Sequence, residues 1–280
     1  MNARAKIKAR VNARGRLLLT GLTAALLLGG ALLAGHGMDA ALLRPRFGLA
    51  ALPPGPGYPF GTDALGRDLL ARSLRGLETS LLVGLLAATA STLIALLLAG
   101  LAMLGRAADA IVGLAVETCI GLPHLVLMIL VAFALGGGVG AVVAAVALTH
   151  WPVLTRILRA EFQAVLTADY VIHARRFGHG PWFILRRHLL PHALPQLAVG
   201  FVLMLPHAIL HEAALTFVGF GIAPARPSIG GLLAEALGSL SAGWWWLGVL
   251  PGALLLAAVL CLDGIASGLR AWLSPRVAEA

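Results

Sequence analysis

"DYVIHARRFGHGPWFILRRHLLPHALP" (residues 169–195) holds four arginines and four histidines. It lies between apolar runs in a 280-residue chain that is 59% hydrophobic and only 12% charged. Soluble domains carry about 25% charged and about 45–50% apolar residues. This chain departs from both toward the membrane, with a mean hydropathy of +0.91. Apolar runs of roughly 18 residues or more recur, each long enough to cross a bilayer as a helix. The fold expected is all-α, a polytopic membrane protein. A transmembrane barrel would instead show short alternating segments.

Working outward from that polar island, apolar blocks occupy residues 79–104, 110–134, 139–158, 196–219 and 245–268. A sixth, 17–34, follows a basic segment, 1–16, with Arg4, Lys6, Lys8, Arg10, Arg14 and Arg16. A signal peptide starts the same way, but its apolar core is about 7–15 residues. The block is therefore read as an uncleaved first helix, and six transmembrane helices are predicted. Residues 35–78, with their "LPPGPGYPFG" cluster, form an outer segment that cannot be a helix interior. Residues 79–270 form the core and 271–280 a tail.

With the N-terminus inside, fifteen of the 21 Lys and Arg residues fall in inner segments. The positive-inside rule then predicts a multi-pass protein with both termini cytoplasmic and the island in a cytoplasmic loop, 159–192. The net charge of +9 is distributed between apolar runs and does not indicate nucleic acid. Cys119 and Cys261 lie inside apolar runs and read as packed thiols.

Within the island, Phe162 to Phe177 suits a helix stopping at Gly178. Pro181 suits the first turn of a second helix, which Pro191 is expected to end. Trp182, Leu185 and Leu189 fall near one face of that second piece. Such an amphipathic pair suits either lipid headgroups or a groove on a soluble partner.

The island resembles the Glu-Ala-Ala loop of ABC-importer permeases, in which Glu-Ala-Ala, three residues, Gly and a Leu-Pro-like end follow in order. Gly178 matches the Gly, and Leu189, Leu190 and Pro191 match the end; Ile172 and His173 stand at the Glu and first Ala positions. The resemblance implies a type I ABC-importer permease fold. It also implies that the loop, with Asp169, His173, Arg175, Gly178, Leu190 and Pro191, couples to an ATPase.

Two further stretches are similar to dipeptide, oligopeptide and nickel permeases. "GTDALGRDLLARSLRGLETSL" (61–81) matches through Gly61, Thr62, Asp63, Gly66, Arg67, Asp68, Arg72, Gly76, Ser80 and Leu81, with Glu78 where the family usually has Arg. "EAALTFVGFGIAPARPSIGGLL" (212–233) matches with Ile229 in place of a Trp. Read physically, Thr62 or Asp63 could cap a helix, and Asp68 and Arg72 form an i,i+4 pair. Read through the resemblance, the first stretch is an outer segment touching the binding protein or the partner permease.

The implied assembly is a heterodimer with a homologous permease, two cytoplasmic ATPase subunits or domains, and an external substrate-binding protein. All of it would sit at the lipid bilayer of a bacterial inner membrane. The chain has no G-x-x-x-x-G-K-[ST] loop. It is therefore expected not to bind ATP that way, and the resemblance implies a non-catalytic subunit with no cofactor of its own, with ATP and magnesium on the partner ATPase.

Ionisable residues inside the membrane are costly and mark functional sites. The candidates are Glu117, Asp263, His150, His207, His211 and Glu212. His207 and His211 are four apart on one helical face, with Glu212 beside them. They could meet a passing Ni²⁺ or Zn²⁺, or simply hydrogen-bond neighbouring helices. "HAILH" and "LTHW" (148–151) resemble the nickel branch more than the peptide branch, so nickel or a metal chelate is the favoured cargo and short peptides the alternative. Glu117 and Asp263 are expected to face the bundle interior or a partner, Trp244–Trp246 to form an interfacial belt, and Gly136–Gly138 to form a tight turn. An ion-gradient-driven transporter using these acids as a proton relay ranks lower. An intramembrane protease is disfavoured because "HEAAL" lacks the second His of H-E-x-x-H.

Overall fold

The computed structural model describes residues 21–24 and 28–273. The basic segment 1–16 and most of the tail, 274–280, lie outside these residues. The described residues contain helices and turns but no strand, only isolated bridges such as Thr62 with Asp68. Helix α1 (Gly21–Gly37) is short and apolar. The segment expected to lie outside, here called the outer segment, is folded, has two 3₁₀ turns, Ala40–Leu43 and Phe47–Leu49, and leads to α2 (Leu69–Ala102). Then come α3 (Arg106–Gly121), α4 (His124–Ala134), α5 (Gly138–Leu166), α6 (Asp169–Arg176), α7 (Pro181–Ile184), α8 (Leu190–Phe217), α9 (Ile229–Leu237) and α10 (Trp246–Leu273).

Among the described residues, four helical stretches are long and apolar enough to cross a membrane: Leu69–Ala102, Gly138–Leu166, Pro181–Phe217 and Trp246–Arg270. The pair α3–α4 makes a fifth if it is one span. The expected count of six is therefore approximate, since part of the 17–34 block lies outside the described residues.

The block 110–134 is not one straight helix. It bends by 99° between α3 and α4. Pro123 disfavours the α region for the residue before it, and Leu122 is extended at φ −86°, ψ 144°. Pro152, Pro195, Pro206 and Pro251, by contrast, lie inside helices. Helix α2 also begins at Leu69, ten residues before its apolar block, because Asp68 caps it by accepting from Ala71 N at 3.0 Å.

Along the middle of α2, small residues pack inside and large ones lie outside. The α2 face toward its neighbours is Gly84, Ala87, Ala88, Ser91, Ala95 and Ala99, all buried, while Leu82, Leu85, Leu86, Leu93 and Leu97 are exposed. Lipid tails are as apolar as Leu, so burying Leu gives no advantage there and close backbone approach does. A Cβ on Gly84 would sit 2.5 Å from Ile209 Cγ1, which fixes how closely α2 and α8 approach. Helix α5 packs centrally against α2, α4 and α8.

The island does not end at Pro191. From Ile184 the chain enters a π turn, Leu185–Leu189, in which Leu190 N donates to Leu185 O, and runs directly into α8. The wider turn carries the helix past a proline that has no N–H to give.

Candidate functional site

Three polar groupings stand out in this apolar molecule. The first is the island. Helix α6 carries Asp169 in its first turn and His173, Arg175 and Arg176 in its last, which suits the helix dipole. Val171, Ile184 and Leu189 are buried with Phe162 and Val165, pinning both pieces to the end of α5. His192 Nε2 lies 2.9 Å from Glu161 Oε1 across the same junction. Gly178 turns the chain at φ +84°, with its N–H donating to Arg175 O at 3.0 Å. Pointing outward are Tyr170, Ile172, Phe177 (82% exposed), Trp182 (71%) and Phe183. Asp169, His173, Arg175 and Pro191 are exposed as well, and Leu190 is half-buried. Large apolar side chains are thus exposed among the island's charged ones.

The second grouping is the outer segment, and here the polar residues turn inward. Thr62 Oγ1 donates to Leu49 O at 2.5 Å and accepts from Leu52 N at 2.9 Å. Asp63 accepts from Leu65 N and Arg67 N, both at 2.9 Å, and from Arg67 Nε and Arg72 Nη1, both at 2.6 Å. Arg72, 3% exposed, also grips Glu235 of α9 through two bonds of 2.7 and 2.8 Å. The Asp68–Arg72 pair expected from spacing does not form. Asp68 is occupied as the cap, and Arg72 reaches Asp63 and Glu235 instead. Neither Thr62 nor Asp63 caps α2. Gly61 and Gly66 both adopt φ +74°, and a Cβ on Gly66 would collide with the Arg46 carbonyl. Trp246 Nε1 donates to Thr62 O at 3.3 Å, so this tryptophan locks the segment to α10, while Trp245 is exposed.

The third grouping is a set of three half-buried histidines. His124 opens α4 after the bend, His150 lies mid-α5, and His211 lies on α8. Their ring centroids are 4.6 Å (His124–His150), 4.9 Å (His150–His211) and 5.1 Å (His124–His211) apart. One nitrogen from each lies within 4.8 Å of the others. His124 Nε2 and His150 Nε2 are 3.4 Å apart, and His150 Nδ1 donates to Val146 O at 2.9 Å.

His207 is not part of this set. It is exposed and bonds back to Leu203 O at 3.0 Å. The four-residue spacing put it on roughly the same face as His211, but of the two only His211 has its ring against those of His124 and His150. His124 had no signal in the sequence beyond its place directly after the Leu122–Pro123 break. Glu212 faces away from the cluster. It is fully buried and accepts from Thr216 Oγ1 at 3.0 Å. Glu117 does not face the interior of this chain. It is exposed and pairs with Arg156 at 2.8 Å; Asp263 is exposed on α10.

Comparisons place these features in a family. Residues 79–279 match the family described as binding-protein-dependent transport system inner membrane component. A putative peptide permease protein of Brucella suis is 37% identical over 221 residues, covering 78% of this chain and 72% of the relative. The dipeptide transport system permease protein DppC of Bacillus subtilis is 32% identical over 227 residues, covering 81% and 71%. The nickel branch draws no support from these relatives. The fold is shared with a solved chain described as an amino acid ABC transporter with histidines, at a TM-score of 0.55 and 20% identity over 70% of this chain and 91% of that one. An all-helical bundle with this fold, matched over residues 79–279, belongs to the family of inner membrane components of binding-protein-dependent transport systems.

Proposed function

We propose that this chain is one permease subunit of an ABC importer for short peptides. The observation that carries the cargo is the similarity, 37% identity over 78% of the chain, to a protein named as a peptide permease. This favours the alternative that the sequence ranked second. The chain pairs with a homologous permease, takes cargo from an external binding protein, and is driven by two ATPase subunits that hold ATP and magnesium. The distribution of Lys and Arg supports cytoplasmic termini and a cytoplasmic island.

In this reading the exposed face of α6 and α7 docks into a groove on the ATPase. Closure of the ATPases on ATP displaces that face, and the bundle shifts between inward- and outward-open states. ATP and cargo drive the cycle only because each binds the two states unequally. Gly178→Pro is expected to abolish transport while leaving the bundle assembled. Proline cannot reach φ +84° and removes the N–H that closes α6. The check is peptide uptake alongside yield of the assembled complex, and normal uptake would remove the coupling role.

A second reading, nickel or a metal chelate as cargo, is favoured by the His124–His150–His211 cluster alone. Uptake of labelled dipeptide and labelled nickel, in cells with and without this gene, tests both. Loss of dipeptide uptake alone supports the peptide reading; loss of nickel uptake alone overturns it.

A further inference from the structure

We infer that His124, His150 and His211 form a binding site for a divalent transition-metal ion, of the zinc, nickel or copper class, that clamps α4, α5 and α8 together. Three features carry this. The first is distance. Two imidazole nitrogens held at about 2.0–2.1 Å from a tetrahedral ion lie ~3.4 Å from each other. His124 Nε2 and His150 Nε2 are already 3.4 Å apart. The third nitrogen, within 4.8 Å of both, comes into range by a side-chain adjustment of about 1.5 Å or less on the same tetrahedral criterion.

The second feature is protonation at a stated atom. A carbonyl only accepts, so the 2.9 Å contact to Val146 O places the proton of neutral His150 on Nδ1. Nε2 then carries its lone pair toward His124. A backbone carbonyl holding the distal N–H is the usual outer support of a metal-bound histidine. The third is origin. The three residues come from three helices, 26 and 61 positions apart in sequence, and His124 opens the helix that follows the 99° bend. His211 makes no hydrogen bond with another described residue, so its ring nitrogens remain available.

All three donors are imidazole nitrogens, and among the described residues no carboxylate joins them. This disfavours magnesium and calcium, which need oxygen, and suits zinc, nickel or copper. Three protein ligands leave a fourth position for water. An ion bound here holds the broken span against α5 and α8 in one arrangement. It therefore stabilises whichever transport state has that arrangement, at the expense of the others. The inference does not depend on the cargo: peptide uptake and metal binding are measured separately.

The test uses the whole permease–ATPase complex, purified without a histidine tag and stripped of metal. It is titrated with ZnCl₂ by calorimetry and with CoCl₂ by visible absorption. Intense d–d bands, expected for cobalt in a four-coordinate nitrogen site, should appear with the wild type. His150→Ala and His211→Ala should each lose one equivalent of zinc, or weaken it at least about tenfold, a loss at the scale seen for support of metal ligands. His124→Ala, at the half-exposed start of α4, should do the same, and it keeps the test decisive if a mid-helix variant fails to fold. His207→Ala should change nothing. Unchanged zinc stoichiometry and affinity in His124→Ala and His211→Ala would overturn the site, as would an equal loss in His207→Ala.

Discussion

The outer segment and the island are both dense in charge, yet the molecule uses them in opposite ways. Asp63 and Arg72 are buried and paired, and their charges fold the segment onto α2 and α9. On α6 and α7 a few apolar anchors fix the backbone, and the polar and aromatic side chains face outward. A polar stretch in a greasy chain thus has two uses: to hold the fold, or to present a surface. Burial and hydrogen-bond partners separate them, and composition does not.

The comparison breaks most easily at Arg72. Replacing it by alanine leaves Asp63 buried with one cation fewer, and breaking a buried pair costs about 3–5 kcal/mol. The complex should lose thermal stability by the largest margin of any variant here, or fail to accumulate; a melting curve matching the wild type would show that the network is ornamental. Next comes Gly66→Ala. A left-handed backbone alone costs a non-glycine residue about 1–2 kcal/mol, and the collision with Arg46 O adds to it. Denaturation in mild detergent should show this loss, and Gly57→Ala, where a Cβ meets nothing, serves as the control.

Asp68→Ala should cost about 1 kcal/mol, the usual worth of an N-cap. Asn in its place should restore most of it, and a failure of Asn to rescue would point to charge and not capping. The smallest stability change, within about 0.5 kcal/mol, is expected for Phe177→Ala combined with Trp182→Ala. The same double variant should greatly weaken co-purification of the ATPase. Unaltered co-purification would move the contact face elsewhere.

Much of the fold was legible in the sequence because lipid imposes long apolar runs. The blocks behind α2, α5, α8 and α10 and the stops at Gly136–Gly138 and Gly178 could be read directly. The bend at Pro123 could not. Four prolines, Pro123, Pro152, Pro206 and Pro251, sit in the apolar blocks, three of them lie inside a helix, and tertiary packing decides which one breaks it. For the same reason the histidine cluster was half visible. The i,i+4 spacing drew attention to His207 and His211, but only the assembled bundle shows that His211 meets His124 and His150 while His207 is exposed and stays outside the ring contacts. The Arg72–Glu235 contact, spanning 163 positions, had no local trace at all.

The π turn at Leu185–Leu189 has a mechanical meaning. Because it joins α7 to α8 without a hinge, Pro181 to Phe217 is a single strut of 37 residues, roughly 55 Å long at 1.5 Å per residue. A load applied at Trp182 arrives at the far end as displacement and is not absorbed by a slack loop. Pro195 and Pro206, each lacking one backbone hydrogen bond, are the compliant points along that strut. They set how much of such a load would reach the far end as bending and how much as thrust.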